Sequence, residues 1–366
     1  MAALSIPPNP DELQASWVTA ALRETGVLSD ASVVDIETQV IGEGAGLIGQ
    51  LARVRLRYDR AEEGAPASLI AKFPAATPEN REIGNIFRFY EREIRFYEEL
   101  AHRVPVRVPR RYYSAMDLDR GDFILLLEDL GGLRLGDQLA SCAPEEGALA
   151  VRALARLHAA FWQKPELEAL DWMPYTNDPV QKSAQDSYAR AWQPFVDHFG
   201  QQVPPEVLRT AERLGGRISD ILDRFVEPPR TIIHGDFRLD NLFFGSPSDG
   251  DPLAVIDWQI ASRGRGAFDV AYFMSGSLAP EARRQCEREV LKEYHDIVRR
   301  DGGAVGYSWD EFLRDYRMGA LFCMVYSVIT CGSLDLANER GMALGSVILG
   351  RNVAAIVDLN CHELLG

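Results

Sequence analysis

Lysine is scarce in this chain. Lys72, Lys164, Lys182 and Lys292 are the only four, so 35 of the 39 basic side chains are arginine. Basic residues form no block, and the formal net charge is −15. That balance argues against nucleic acid or an anionic membrane surface as partner. Cysteine is sparse too. Cys142, Cys286, Cys323, Cys331 and Cys361 make no C-x-x-C pair and read as reduced thiols of a cytoplasmic protein. The six histidines, His102, His158, His198, His234, His295 and His362, are scattered, which leaves no ligand set for a histidine-based metal hydrolase. Met1 to Pro10 is neither basic nor apolar enough for a signal peptide. The longest apolar run, near Met318 to Thr330, is too short to span a bilayer and predicts a buried core helix, so no membrane insertion is expected. No internal repeat or low-complexity run is present. What remains is a chain of 366 residues, 46% hydrophobic, long enough for a large core divided between two lobes.

The most informative segment is His234-Gly235-Asp236-Phe237-Arg238-Leu239-Asp240-Asn241. It has the spacing H-x-D-x-x-x-x-N. Phosphoryl transfer needs one carboxylate to take a proton from the attacking hydroxyl and a second group, a few Å away, to hold a metal on the phosphates. Asp236 and Asn241 on one tight loop can do both. Thr231-Ile232-Ile233 predicts a strand entering the loop, and Leu242-Phe243-Phe244 one leaving it. Sixteen residues after Asn241, the apolar strand Leu253-Ala254-Val255-Ile256 delivers Asp257, followed by Trp258 and Gln259. A carboxylate at the end of a buried strand is a natural metal ligand. Asp269, in Gly264-Arg265-Gly266-Ala267-Phe268-Asp269-Val270-Ala271-Tyr272-Phe273, either caps a helix or ties down the loop, a structural role.

These three motifs, H-G-D-x-x-x-x-N, I-D-W and D-V-A-Y-F, resemble the aminoglycoside phosphotransferase and choline kinase superfamily. The run Leu125-Leu126-Leu127-Glu128-Asp129-Leu130, with Glu93-Ile94-Arg95-Phe96-Tyr97 upstream, looks more like its ecdysteroid-kinase-like branch. The resemblance extends from about residue 35 to about residue 360. It implies an α+β, bilobal, protein-kinase-like fold. A small antiparallel β lobe with one long helix would occupy residues 1–130 and a larger, mainly helical lobe residues 131–366; independently, Asn9-Pro10-Asp11-Glu12, with Pro at the first helical position, predicts the cap of an N-terminal helix over 9–25. The resemblance also implies ATP with Mg²⁺ as cofactors, and transfer of the γ-phosphoryl group to a hydroxyl of a small molecule. Asp236 would be the base, Arg238 would touch the transferred group, and Asn241 and Asp257 would hold Mg²⁺. Arg238 could instead pair with Asp240 or Asp257. His234 would brace the loop rather than act as a base, and His158 reads as a packed helix residue. The D-F-G glycine of protein kinases is absent, and this is the one support for the rival class, a catalytically silent nucleotide-binding scaffold.

The N-terminal half carries its own signals. Val40-Ile41, a glycine-rich turn holding Gly42, Gly44, Gly46 and Gly49, and the alternating run Leu51 to Arg57 predict strand, turn, strand. Glycines let backbone N–H groups approach phosphate oxygens; a ligand-free hairpin would look the same. Lys72 sits in the apolar strand Ser68 to Phe73, either as an edge lysine with its head in water or as the lysine that grips the α- and β-phosphates. The second reading needs a carboxylate. Tyr90, Ile94, Tyr97 and Leu100 make one helical stripe that Glu93 flanks, whereas Glu91 is predicted to point more to solvent. The resemblance favours Glu93. Asp122 to Leu130 reads as a fully buried strand breaking at Gly131-Gly132. The same resemblance makes this break the hinge that presents the Glu128 carbonyl and the Leu130 N–H to adenine. The aromatic-rich segment Trp162 to Phe199 could line an acceptor pocket or belong to the core. The acceptor stays open between a hydroxylated lipid, steroid or hydroxyacyl thioester and an aminosugar or amino alcohol.

Overall fold

The computed structural model describes residues 4–42, 48–246, 252–333 and 339–365. The chain divides into two units, Met1–Arg103 with Val108–Leu133, and Val104–Arg107 with Arg134–Gly366.

The first unit is built on five antiparallel strands, β1 (Val33–Ile41), β2 (Gly49–Tyr58), β3 (Ser68–Pro74), β4 (Arg111–Asp117) and β5 (Asp122–Glu128), in the order β1-β2-β3-β5-β4. Helix α1 (Ala15–Glu24) covers one face. Its Val18, Ala21 and Leu22 are buried with Ala52, Val54, Leu69, Ala71, Phe73, Ile124 and Leu126 of the sheet. Two further helices follow β3: α2 (Pro78–Ile86) and α3 (Phe89–Arg95), the latter running on into a π-helical turn, Phe96–Leu100. Tyr90 of α3 stacks on Phe123 of β5, with ring centroids 4.5 Å apart. Strand β5 is therefore packed on both faces, which explains its unbroken apolar run.

Two details differ from the sequence reading. The helix expected over 9–25 is split. Asn9 caps a short turn, Pro10–Glu12, and extended Leu13 then dives into the core before α1 begins at Ala15. The single long helix expected around 87–100 is preceded by α2, and Arg88, with φ +54°, makes the sharp corner between α2 and α3. The predicted stripe of Tyr90, Ile94, Tyr97 and Leu100 is buried.

The second unit opens with β6 (Arg134–Leu135) and continues through helices α4 (Pro144–Phe161), α5 (Pro179–Lys182), α6 (Ala184–Phe199), α7 (Pro205–Gly215) and α8 (Ile218–Phe225). Short strands β7 (Thr231–Ile233), β8 (Leu242–Phe244), β9 (Leu253–Val255) and β10 (Ser262–Gly264) interrupt the helices. Then come α9 (Ala267–Ser277), α10 (Pro280–Asp301), α11 (Trp309–Ser333) and α12 (Glu339–Asp358). The run near Met318 to Thr330 lies in α11, which packs on α6, α9 and α12. Residues Gly341–Asp358 of α12 meet the length and composition of a membrane span, yet Leu349, Val353, Ala355 and Ile356 are buried within this unit. From the aromatic-rich segment, Trp162, Trp172 and Tyr188 are core residues. Strands β7 with β10, and β6 with β8 and β9, form two small antiparallel ladders that hold the polar loops.

Candidate active site

Strand alternation places Lys72. Leu69, Ala71 and Phe73 point to the α1 side of the sheet, so Lys72 points to the other face. Strand β3 is central, between β2 and β5, and Lys72 is not an edge residue. Its Nζ lies 2.6 Å from both carboxylate oxygens of Glu93, with side chains only 14% and 3% exposed. Glu91 is a correction to the sequence reading. It is buried rather than turned to solvent, because Arg88 and Arg95 hold its carboxylate at 2.7 and 3.3 Å. The Arg88 hydrogen bond outweighs burial and keeps that carboxyl below its ordinary range.

The glycine-rich turn joins β1 to β2, which are paired up to Ile41 and Leu51. Gly44 and Gly46 lie outside the described residues. Gly49 starts β2, where a Cβ would stand 3.1 Å from the Phe73 carbonyl oxygen. At the far end of β5, Glu128 is the last strand residue. Asp129 follows, accepting from Arg53 Nε (2.8 Å), Ser68 Oγ (2.8 Å) and the Gly131 N–H (3.0 Å). These bonds hold the Glu128–Leu130 segment in place. Leu130 itself is buried, and its carbonyl accepts from the Leu133 N–H.

In the second unit the loop 234–241 is held by side chains from three directions. Gly235 has φ +84°, and a Cβ there would fall 2.7 Å from the Ile260 carbonyl oxygen, so only glycine fits. Asp269 does not cap its helix. Its carboxylate accepts from the His234 N–H (2.6 Å) and the Gly235 N–H (2.9 Å). His158 is more than a packed helix residue. It is fully buried, its Nε2 lies 3.3 Å from Asp269 Oδ2, and its Nδ1 accepts from the Tyr294 hydroxyl at 2.8 Å. His234 braces the loop: Nδ1 accepts from the Asp236 N–H (3.2 Å) and Nε2 donates to the Ile256 carbonyl (2.9 Å). That second bond ties the loop to the segment carrying Asp257.

Asp236 is held at both carboxylate oxygens. Oδ2 accepts from Asn241 Nδ2 (3.0 Å) and Arg238 Nε (3.3 Å), and Oδ1 accepts from the Tyr272 hydroxyl (2.8 Å). Asn241 Nδ2 also donates to the Asp236 carbonyl at 2.9 Å. With its nitrogen committed to Asp236, Asn241 keeps Oδ1 as an oxygen donor. The Asn241 carbonyl accepts from the Ile256 N–H (3.0 Å), and Leu242 pairs with Val255, so the ladder carries Asn241 and Asp257 out at one end. Asp257 adopts φ +66°, a left-handed conformation that aspartate tolerates better than most non-glycine residues. An amide oxygen and a carboxylate are hard donors of the kind a magnesium ion takes together with phosphate and water. Arg238 is paired with Asp240 and Asp236. Burial alone would lower its guanidinium pKa, but the facing carboxylates raise it above the ordinary value.

Sequence reasoning missed Tyr272 and the His158–Asp269 contact. The signal for Tyr272 was present: it lies three residues after Asp269, hence on the same helix face. Beside the loop, a recess is lined by Thr176, Ile233, Gly235, Ile260, Phe268 and Tyr326 among others, with no Asp, Glu, Lys or Arg among its described residues.

Comparisons with known proteins fit this geometry. Acyl-CoA dehydrogenase family member 11 of Gallus gallus is 28% identical over 171 residues, 46% of this chain and 20% of that protein. An uncharacterized oxidoreductase, dhs-27, of Caenorhabditis elegans is 22% identical over 349 residues, 83% of this chain and 40% of that one. The chain thus spans well under half the length of these curated relatives. Among solved structures, an aminoglycoside 2′-phosphotransferase-IIIa in complex with GDP superposes with a TM-score of 0.54 at 15% identity, covering 93% of this chain and 99% of the other. An ethanolamine kinase from Plasmodium vivax gives 0.53 at 12% identity over 94% and 89%. The fold is therefore the bilobal kinase-like one, α+β, with the five-stranded antiparallel sheet in its N-terminal part. A model of the ecdysteroid kinase-like family matches residues 43–307, and the chain belongs to that family of small-molecule kinase-like phosphotransferases.

Proposed function

We propose that this chain transfers the γ-phosphoryl group of MgATP to a hydroxyl on a largely apolar small molecule. The observation that carries the reading is the Asp236–Asn241 pair. One carboxylate is held on both oxygens at the head of a glycine-dependent loop, and the neighbouring amide commits its nitrogen to that aspartate, so that its oxygen would be the atom to meet a metal. The acceptor O–H would give its proton to Asp236 as its oxygen forms the bond to Pγ. The Pγ–O bond to the β-phosphate breaks, and ADP leaves with that electron pair. Mg²⁺, when bound through Asn241 Oδ1 and the Asp257 carboxylate, would neutralise the phosphate charge. Lys72, fixed by Glu93, would grip the α- and β-phosphates. Gly44, Gly46 and Gly49 would cover them, and the Glu128 carbonyl and Leu130 N–H would meet adenine. Arg238 would exchange its carboxylate partners for the transferred group.

The recess beside Gly235 supports the acceptor class. At about 40 Å³ it takes no more than the edge of an acceptor, and the wall it offers that edge is aromatic, aliphatic or neutral-polar, which favours a hydroxylated lipid, steroid or hydroxyacyl thioester. An aminosugar or amino alcohol would want a carboxylate there. The test is an ADP-release screen over hydroxyl compounds with Asp236→Asn as the blank. The expected result is turnover by the native chain on an apolar alcohol, abolished in the variant while MgATP still binds. Clear MgATP binding with no turnover on any compound would favour the scaffold reading instead.

A further inference from the structure

We propose that Tyr272 is a positioning residue for the phosphotransfer step, holding the Asp236 carboxylate in the one rotamer from which it can meet the acceptor hydroxyl; the inference rests on the kinase reading above. The terminal torsion of an aspartate is broad and roughly two-fold, so a carboxylate gripped at one oxygen can still swing. Asn241 and Arg238 both reach Oδ2. Tyr272 alone among these donors reaches Oδ1, at 2.8 Å, and closes that freedom.

The tyrosine is itself immobilised. It sits on α9 one turn after Asp269, so a single helix face grips the loop twice: Asp269 holds the backbone of His234 and Gly235, and Tyr272 holds the side chain of Asp236. The next residue, Phe273, packs edge-on against Phe237 of the same loop, with centroids 5.6 Å apart. The Tyr272 ring lies 6.2 Å from Phe268 and meets Tyr326 edge-on at 5.8 Å. Phe268 and Tyr326 also line the recess. The tyrosine thus links the wall of this recess to the carboxylate that would address the acceptor. Burial, then the charge of Asp236, raises the phenol well above its ordinary value, so it stays protonated and acts only as a donor to the carboxylate.

Tyr272→Phe keeps the ring and removes the donor. The first readout is ADP release from MgATP with water as acceptor. A base displaced by a fraction of an Å should cost about tenfold or more in kcat, with KM for MgATP unchanged. Because the tyrosine acts through Asp236, adding Tyr272→Phe to Asp236→Asn should leave the residual rate where it was. Unchanged kcat, or an equal loss in both backgrounds, overturns the proposal. So does a loss of nucleotide affinity together with kcat, the mark of general damage. If, with water, the native chain turns over no faster than Asp236→Asn, a second readout decides on Tyr272, while the hydroxyl-compound screen decides separately on the kinase reading. The shifts in melting temperature of Tyr272→Phe and Asp236→Asn should be non-additive, as expected of two groups in contact. Additive shifts overturn the contact whatever the activity.

Discussion

Asp269→Ala is the sharpest perturbation of the loop that avoids the proposed chemistry. Asp269 is fully buried and accepts two backbone N–H groups, His234 at 2.6 Å and Gly235 at 2.9 Å. Both bonds go to a charged acceptor, and such bonds contribute about 1.5–3 kcal/mol each. The His234 N–H is buried and loses its partner outright. The Gly235 N–H is only part-buried, so water recovers some of its loss. The sum is about 3–5 kcal/mol, concentrated on one loop. At 1.4 kcal/mol per tenfold, amide exchange over residues 231–244 should accelerate by at least about a hundredfold. Deuterium uptake by that peptide, followed by mass spectrometry, reads the change directly. Residues 68–74 of the other unit, within the sheet, serve as the internal reference and should keep their protection. Unchanged exchange over 231–244 in a folded Asp269→Ala protein would refute the claim that this carboxylate holds the loop. Uniform acceleration across both segments would mean global destabilisation instead.

Gly235→Ala places a methyl group 2.7 Å from the Ile260 carbonyl at φ +84°; strain of about 2 kcal/mol or more should lower the melting temperature by at least about 4 °C and abolish turnover. Lys72→Ala should weaken MgATP binding about 10- to 100-fold in a nucleotide titration, the loss of one charge-assisted contact, and an unchanged affinity would reject the phosphate-binding role. Tyr272, Tyr294, Tyr307 and Tyr316 all have phenols raised well above 10, by burial first. Their native forms keep protons that the unfolded chain releases. Stability is therefore fully present below pH 10 and falls, by about 1.4 kcal/mol per pH unit for each such tyrosine, as pH rises from 10 toward the folded values. Thermal melts from pH 8 to 11 should show this alkaline collapse, and Tyr272→Phe should make it shallower.

Much of the site was legible because kinase-like chemistry sets short sequence spacings. Asp236 and Asn241 had to share one loop, and period-two alternation in Ser68 to Phe73 turned Lys72 away from Leu69 and Ala71. Glu91 was misjudged for a local reason. Helical periodicity reports an average direction, and Arg88, set at a left-handed corner, and Arg95 draw that carboxylate inward. The break at Leu13 was invisible because an Asn-Pro start predicts a helix equally well whether it lasts one turn or four.

The sequence alone determined the strands, the loop spacings and the residue types that perform transfer, since these depend on near neighbours along the chain. Tertiary structure decided which groups grip them. Asp269 and Tyr272 meet residues 234 to 236 across separations of 34 to 36 residues, and His158 meets Asp269 across 111; no periodicity reaches that far. Whether a buried carboxylate such as Asp269 caps its own helix or holds a distant loop depends on which N–H groups the packed core leaves without partners.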